Sequence, residues 1–212
     1  MGELTIFKNN DQLPAHFSDD DFGVTRELSV GVSNMPPMIK LNTKTFDLMQ
    51  NGETTQLGLS FKAVIIGAGP IARKYFSVEY TGKEEDATAP DCASANGVTP
   101  DKAVACPMSH TCALCPKAAF GSKVNALGNK TKACTEYRRL VIYLPNKVKG
   151  ANKFFRLDLP TMSIKPAAQY CNLLAMRGVP VHGVITQLAF DSNEKYAKLT
   201  FDAIQVFTPE QF

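Results

Sequence analysis

Alternation of apolar and polar residues predicts short β-strands along most of the chain beyond residue 36. Residues 38–42 and 45–48 alternate as in a hairpin, and Asn51-Gly52 marks an adjoining turn. Two runs rich in β-branched and aromatic residues follow, with Gly67-Ala68-Gly69-Pro70 as the turn expected between them. The further strands predicted are 57–67, 73–81, 138–144, 154–159, 183–190 and 196–207.

One segment has the period of an amphipathic helix instead. Ser163 is a favourable N-cap, and Gly178 and Pro180 are typical of the residues that follow a helix. Cys171 falls on the apolar side, so we expect it in the core. The predicted apolar stripe is Ile164, Ala168, Cys171, Leu174 and Ala175.

Two stretches lack periodicity. Residues 1–35 are polar and rich in Asp, which predicts a flexible arm. The stretch from about 82 to 136 has few large apolar residues, and a loop of that length inside a compact domain needs something to fix it. The remaining order is strands, insertion, strand pair, helix and two strands. It predicts one mainly β domain over 36–212, with one main helix and an OB-like antiparallel β-barrel. Other small β-barrels and a new α+β sheet are the alternatives.

Composition places the chain among soluble globular proteins, with 44% hydrophobic and 20% charged residues. No run approaches the roughly 18 to 20 apolar residues that span a bilayer, so we expect no membrane partner. The first residues carry neither a basic nor an apolar signal segment, which predicts a cytosolic protein with reduced thiols. Clustered cysteines then favour a bound metal over disulfides.

Five of the six cysteines lie within 92–134. Cys112 and Cys115 form a C-x-x-C knuckle, whose two thiolates can hold one tetrahedral metal, and Cys134 precedes a predicted strand that can fix it. A closed set of four thiolates has no open position, so it predicts a structural zinc that staples the insertion. Unliganded thiols are the alternative interpretation. The fourth ligand is left open among Cys92, Cys106 and His110.

Positive charge is concentrated in one part of the chain. The whole chain carries +3, yet residues 117–156 contain ten Lys or Arg residues and a single acid, Glu136. That segment therefore carries +9 and the rest of the chain −6. A strip of this kind indicates a polyanionic partner, with a solvated face as the alternative.

Aromatic residues interleave with these charges, as is typical of single-strand nucleic-acid binding. Each base that stacks on a ring contributes roughly 1 to 3 kcal/mol, and Lys and Arg follow the phosphates. Because alternate side chains of a strand face the core, roughly half of the rings should be buried. The candidate ssDNA-binding residues are Arg73, Tyr75, Phe76, Tyr80, Phe120, Lys123, Lys132, Tyr137, Arg138, Arg139, Lys153 and Arg156, with Lys74, Tyr143, Phe154 and Phe155 beside them.

Catalytic and nucleotide-binding motifs are poorly represented. The run from Gly67 to Ala72 fits the dinucleotide pattern G-x-G-x-x-A, but a strand rather than a helix is predicted next, which favours a hairpin turn. The three histidines are scattered, and neither a nucleophile elbow nor a Walker loop occurs. We therefore do not expect an enzyme.

Several segments together carry a family resemblance. They are Ile39-Lys40-Leu41, Arg73-Lys74-Tyr75-Phe76, the run from Cys92 to Pro100, Cys112-Ala113-Leu114-Cys115-Pro116 with Phe120 to Lys123, Lys132-Ala133-Cys134 with Arg138-Arg139-Leu140, Gly178-Val179-Pro180, and Lys198 to Phe201. They resemble a family of bacteriophage single-stranded-DNA-binding proteins with a metal-binding insertion in an OB-like core. The resemblance covers about residues 36–207 and implies zinc on Cys92, Cys112, Cys115 and Cys134, which leaves Cys106 as an extra cysteine. Phe120 stands where that pattern has a larger aromatic.

The resemblance also implies a function. It is binding of ssDNA, largely independent of sequence, in support of phage DNA replication, recombination or transcription in the cytoplasm of the infected bacterial host. A variant is an ssDNA-binding cofactor that recruits a phage RNA polymerase to its template, and a phage DNA polymerase is a further expected partner. A zinc-knuckle adaptor that binds protein is the rival from another class. Self-association into a homo-oligomer is left open.

Overall fold

The structure, a computed structural model, describes residues 37–42, 44–50, 52–78, 89–125, 128–145 and 154–206. The predicted arm at 1–35 lies outside these residues. The strands are β1 (Met38–Asn42), β2 (Thr45–Gln50), β3 (Glu53–Gly58), β4 (Ser60–Tyr75), β5 (Cys92–Ser94), β6 (Lys123–Val124), β7 (Lys130–Thr131), β8 (Thr135–Tyr143), β9 (Phe154–Pro160), β10 (Val184–Phe190) and β11 (Leu199–Val206), and helix α1 is Thr161–Met176.

Most strands form one curled sheet in the order β11-β10-β4-β8-β9-β1-β2-β3, with β5 added to the end of β4 and β6-β7 as a separate ribbon. The pairs are antiparallel except β1 with β9. Because β3 leads through Leu59 directly into β4, the sheet bends back on itself. Phe46 of β2 accordingly packs against Phe61 of β4 and Phe190 of β10, with ring centroids 4.7 and 4.4 Å apart. The mainly β prediction is confirmed, whereas this open half-barrel does not confirm a closed OB-like barrel.

The prediction of a hairpin turn at residues 67–70 was wrong. These residues belong to the single 16-residue strand β4, which replaces the two strands expected at 57–67 and 73–81. The pairing of β4 with β8 shifts between Ile65 and Gly67 and again between Ala68 and Ile71. Such bulges absorb extra residues without reversing the chain, and glycine and proline are tolerated there. The bulged strand therefore continues from the core to Tyr75 without a turn.

Helix α1 covers the core side of the sheet. Tyr170 and Leu174 are buried in the main hydrophobic cluster together with Leu140 and Leu157. The Tyr170 hydroxyl lies 2.8 Å from Thr186 Oγ1, which satisfies the buried polar end of the ring. None of the helices within the described residues is long and apolar enough to cross a membrane.

The predicted start and apolar stripe of α1 need correction. Pro160 occupies the N-cap position, and Ser163 lies inside the helix, where its buried Oγ accepts a hydrogen bond from the Leu199 N–H at 2.9 Å. Cys171 is exposed rather than in the core, as are Ala168 and Ala175. The predicted end is confirmed, because Gly178 has φ 69° and its N–H donates to the Ala175 carbonyl at 2.9 Å.

Candidate metal centre and nucleic-acid interface

Two candidate sites lie on opposite sides of the sheet where the end of β4 pairs with the start of β8. In their antiparallel register Ala72 is opposite Tyr137, and Arg73 is opposite Glu136. Successive side chains point to opposite sides of a strand, so these two pairs face in opposite directions. We call the side of Tyr137 the outer face. It turns away from the core side, on which Leu140 is buried.

On the other side, the four cysteines that the family resemblance implies as ligands line one small cavity, which we call the cysteine cavity. Its volume is about 20 Å³, enough for one water-sized atom. Cys106, the reserve candidate, is exposed and does not line it, and neither does His110. The cysteines that line the cavity are Cys92, Cys112, Cys115 and Cys134.

Separate backbone contacts bring the cysteines to this cavity. Strand β5 pairs with the end of β4 and places Cys92 opposite Tyr75. The Cys112 N–H donates to the Val98 carbonyl at 2.8 Å, and the Cys134 N–H donates to the Lys117 carbonyl at 2.8 Å. The insertion is thus folded back onto β4 by hydrogen bonds as well as by any metal.

Gly97 allows the insertion to approach β4 closely. It has φ +70°, and a Cβ at this position would clash with the Ile71 carbonyl oxygen. Gly128 has a similar φ of +78° but nothing within 4 Å of such a Cβ.

We expect Gly97→Ala to lower the free energy of unfolding by about 2 kcal/mol, because it combines left-handed backbone strain with a backbone clash. Gly128→Ala is the matched control and should cost about 1 kcal/mol, since only the strain applies. Urea denaturation of both variants measures the difference. Equal losses would show that the contact between Gly97 and Ile71 is unimportant.

Arg73 is the charged side chain of the cysteine cavity. Its Nη1 donates to the Cys112 carbonyl at 3.1 Å, and its Nη2 forms an ion pair with Glu136 at 3.2 Å. Its Nε is buried and has no hydrogen-bond partner within the described part of the chain. A thiolate formed in this cavity could accept that remaining N–H.

Burial, followed by the neighbouring Cys115, raises the pKa of the Cys134 thiol to about 11, and Arg73 opposes the shift. A metal that binds Cys134 must therefore displace the proton of its thiol. No group of three or more His, Cys, Asp or Glu side chains in the described ranges is arranged to hold a metal ion. The donor chemistry nevertheless fits a soft divalent metal, since four cysteine thiols and the thioether of Met108 line the cavity without a carboxylate or imidazole.

The outer face presents cations beside exposed rings. Lys74 Nζ lies 5.2 Å from the ring centroid of Tyr137 and 5.9 Å from that of Phe76. The Arg139 guanidinium lies 6.0 Å from the Tyr137 centroid on the same face. Both cations are thus within reach of Tyr137, while Phe76 remains 38% exposed.

The same face continues along β8 and β9. The rings of Tyr143 and Phe154 lie 5.5 Å apart, and Phe154 is 53% exposed. Arg139 and Arg156 share the carboxylate of Asp158, with N–O distances of 3.1 and 3.5 Å. Asp158 cannot neutralise both arginines, so this surface keeps a positive charge.

Those predicted ssDNA-binding residues that the structure describes lie in three regions. Phe76, Tyr137, Arg139 and Arg156 lie together on the outer face. The residues on the cavity side are Arg73, Tyr75 and Arg138. Those in the insertion are Phe120, Lys123 and Lys132. The other two, Tyr80 and Lys153, lie outside the described residues.

Several of the residues away from the outer face have structural contacts. Arg138 Nε donates to the Gly69 carbonyl at 3.0 Å, and Lys117 Nζ lies 5.2 Å from the Tyr75 ring. Lys132 forms an ion pair with Glu136 at 3.1 Å. Phe120, in contrast, is 75% exposed.

Sequence reasoning did not separate Lys74 from Arg73. The signal that could have done so is the period of two along residues 73–76, which places Lys74 with Phe76 and Arg73 with Tyr75. This period is informative only if residues 73–76 form a strand with two accessible sides. Lys74 and Phe154 therefore join the candidate interface from the structure.

Comparisons with known proteins identify no relative. No family model, no curated protein and no solved structure matches this chain.

Proposed function

We propose that the protein binds single-stranded DNA, largely independently of sequence, on the outer face of β4, β8 and β9. The observation that carries the proposal is the contact of Tyr137 with both Lys74 and Arg139 beside the exposed ring of Phe76. Rings stack on any base and cations follow phosphates, so the combination tolerates sequence. In this proposal the curled sheet presents its face to the strand as an OB-like platform does.

The dimensions of the outer face suit a short stretch of DNA. Strand β8 has nine residues and is therefore about 27 Å long. Tyr137 lies near one end of it, and the Tyr143 and Phe154 pair lies at the other. Arg139 and Arg156 lie between the rings, where phosphates joining the stacked bases would pass. No covalent chemistry is needed, and the proposed role is non-enzymatic.

We further propose that zinc staples the insertion through Cys92, Cys112, Cys115 and Cys134. Bound zinc would supply a tetrahedral cross-link. The unpaired Nε–H of Arg73 would donate to one of the thiolates, and its charge would offset part of theirs. Arg73 alternates along β4 with the outer-face residue Lys74, so fixing the insertion also fixes the strand that presents Lys74 to DNA.

A salt titration tests the proposed function. Fluorescence anisotropy of labelled oligo(dT) should show binding at low ionic strength that weakens as salt rises. Neutralising three phosphates with Lys74, Arg139 and Arg156 predicts a slope of about −2 for log K against log salt, because each contact with a single strand contributes about −0.7.

Duplex DNA of the same length is the control and should bind more weakly, since its bases cannot stack on the rings. Failure of oligo(dT) to bind even at low ionic strength would refute the function.

The transcription variant has an observation of its own in the insertion. Leu114 and Phe120 are 81% and 75% exposed, and neither belongs to the outer face. Exposed apolar residues on a stapled insertion suit contact with a protein such as the phage RNA polymerase. Co-purification of that polymerase in the absence of DNA distinguishes this variant from DNA binding alone.

A further inference from the structure

A second and larger cavity opens on the sheet beyond the Tyr143 and Phe154 rings. Its volume is about 410 Å³, within the range of small-molecule pockets. We call it the outer cavity. Among its lining residues are Lys62, Pro145, Ile185, Gln187, Ile204 and Gln205.

The strand register places the outer cavity in line with the proposed DNA path. Ile185 of β10 is opposite Val64 of β4, and Val64 is opposite Tyr143 of β8. Tyr143 is in turn opposite Phe154 of β9. Residues opposite each other in neighbouring strands share one side of a sheet. The cavity therefore lies on the same side as the outer face, over β4, β10 and β11, beyond the last pair of rings on β8 and β9.

The lining of the outer cavity combines apolar walls with side-chain amides. Ile185, Ile204 and Pro145 supply apolar surface, and Gln187 and Gln205 each supply one acceptor and two N–H donors. Neither amide has a hydrogen-bond partner within the described part of the chain. Such a pocket suits a flat, apolar group whose edge carries both donors and acceptors.

A nucleobase matches this chemistry better than a phosphate does. Lys62 is the cation among the lining residues, while Asp202 lies opposite Gln187 in the neighbouring strand. A phosphate would meet that carboxylate near the amides, whereas a base can present its faces to the isoleucines and its edge to the amides. Lys62 could then contact the phosphate of the same nucleotide.

We propose that the outer cavity binds one nucleobase of the bound strand and reads its hydrogen-bonding edge through Gln187 and Gln205. This inference rests on the proposed function and adds to it a single position at which base identity matters. Elsewhere along the outer face, stacking on rings leaves binding tolerant of sequence.

The test combines an abasic scan of the ligand with a matched set of variants. Oligo(dT) carrying one abasic sugar is moved through every position and its affinity measured against the wild-type protein and Gln187→Leu/Gln205→Leu. Each lost hydrogen bond should weaken binding of intact oligo(dT) about fivefold, and the double variant should bind about 25-fold more weakly. Gln56→Leu, an exposed change on β3, is the control and should bind as wild type does.

The expected result is one abasic position with a larger penalty than the others in the wild type, and no such penalty at that position in the double variant. Uniform penalties with an unaffected double variant would overturn the base pocket and leave the proposed function standing. Absence of any oligo(dT) binding by the wild type would overturn both.

Discussion

Replacing Cys112 with serine should abolish the proposed zinc binding and lower the free energy of unfolding by about 4 kcal/mol or more. Loss of a structural metal belongs to the few mechanisms that reach this size, because the metal acts as a cross-link between distant segments. Here the cross-link would join β5, the knuckle and the residue before β8. Zinc content per chain and urea denaturation of the two proteins provide the measurement.

Two other cysteines supply matched controls. Cys106 and Cys171 are both exposed and neither lines the cysteine cavity, so serine at either position should leave zinc content and stability unchanged. Zinc should also be lost as the pH falls, since protons compete with the metal for the thiolates. Loss of zinc from Cys106→Ser would refute the ligand set, and wild-type protein without zinc would refute the metal itself.

The strands were predictable from sequence where one side of them faces the core. Leu140 and Ile142 of β8 alternate with exposed Arg139 and Val141, and the same pattern holds in β9 and β10. The bulged part of β4 was not predictable, because glycine and proline give the same local signal for a turn and for a bulge. The outcome depends on pairing with β8, which lies far along the sequence.

The helix shows the same limit at the level of single residues. Apolar spacing favours Cys171 as a core residue, whereas the structure buries Tyr170 instead. The hydroxyl of a buried tyrosine usually needs a hydrogen-bond partner, and here that partner, Thr186, belongs to a different element. Sequence spacing therefore places the helix but leaves its rotation to tertiary contacts.

The candidate site divides in a similar way. Spacing indicates Cys112 and Cys115, the strand that follows Cys134 favours this cysteine, and the family resemblance implies Cys92 as the fourth. Neither predicts that Arg73 turns toward the cysteines while Lys74 faces solvent, because this depends on which sides of β4 are covered. Proximity of a charged residue to an aromatic residue in the sequence is thus weaker evidence for a proposed DNA contact than knowledge of which side of the strand the charged residue occupies.

Replacing Tyr137 with alanine should weaken binding to oligo(dT) about 100-fold. A stacked base contributes roughly 1 to 3 kcal/mol, and the upper value applies because this ring also holds two cations in position. Lys74 and Arg139 lie 5.2 and 6.0 Å from its centroid and would lose that support. The loss should appear at every oligonucleotide sequence, since stacking does not read the base edge.

Tyr196→Ala is the matched control, because Tyr196 is a tyrosine with an accessible ring, 46% exposed, in the turn between β10 and β11 and away from the outer face. It should leave the affinity unchanged. Equal losses from the two variants would place the DNA elsewhere on the protein. A loss from Tyr137→Ala alone, with the same measured zinc content as the wild type, assigns the effect to the outer face, since Tyr137 and the cysteine cavity lie on opposite sides of β8.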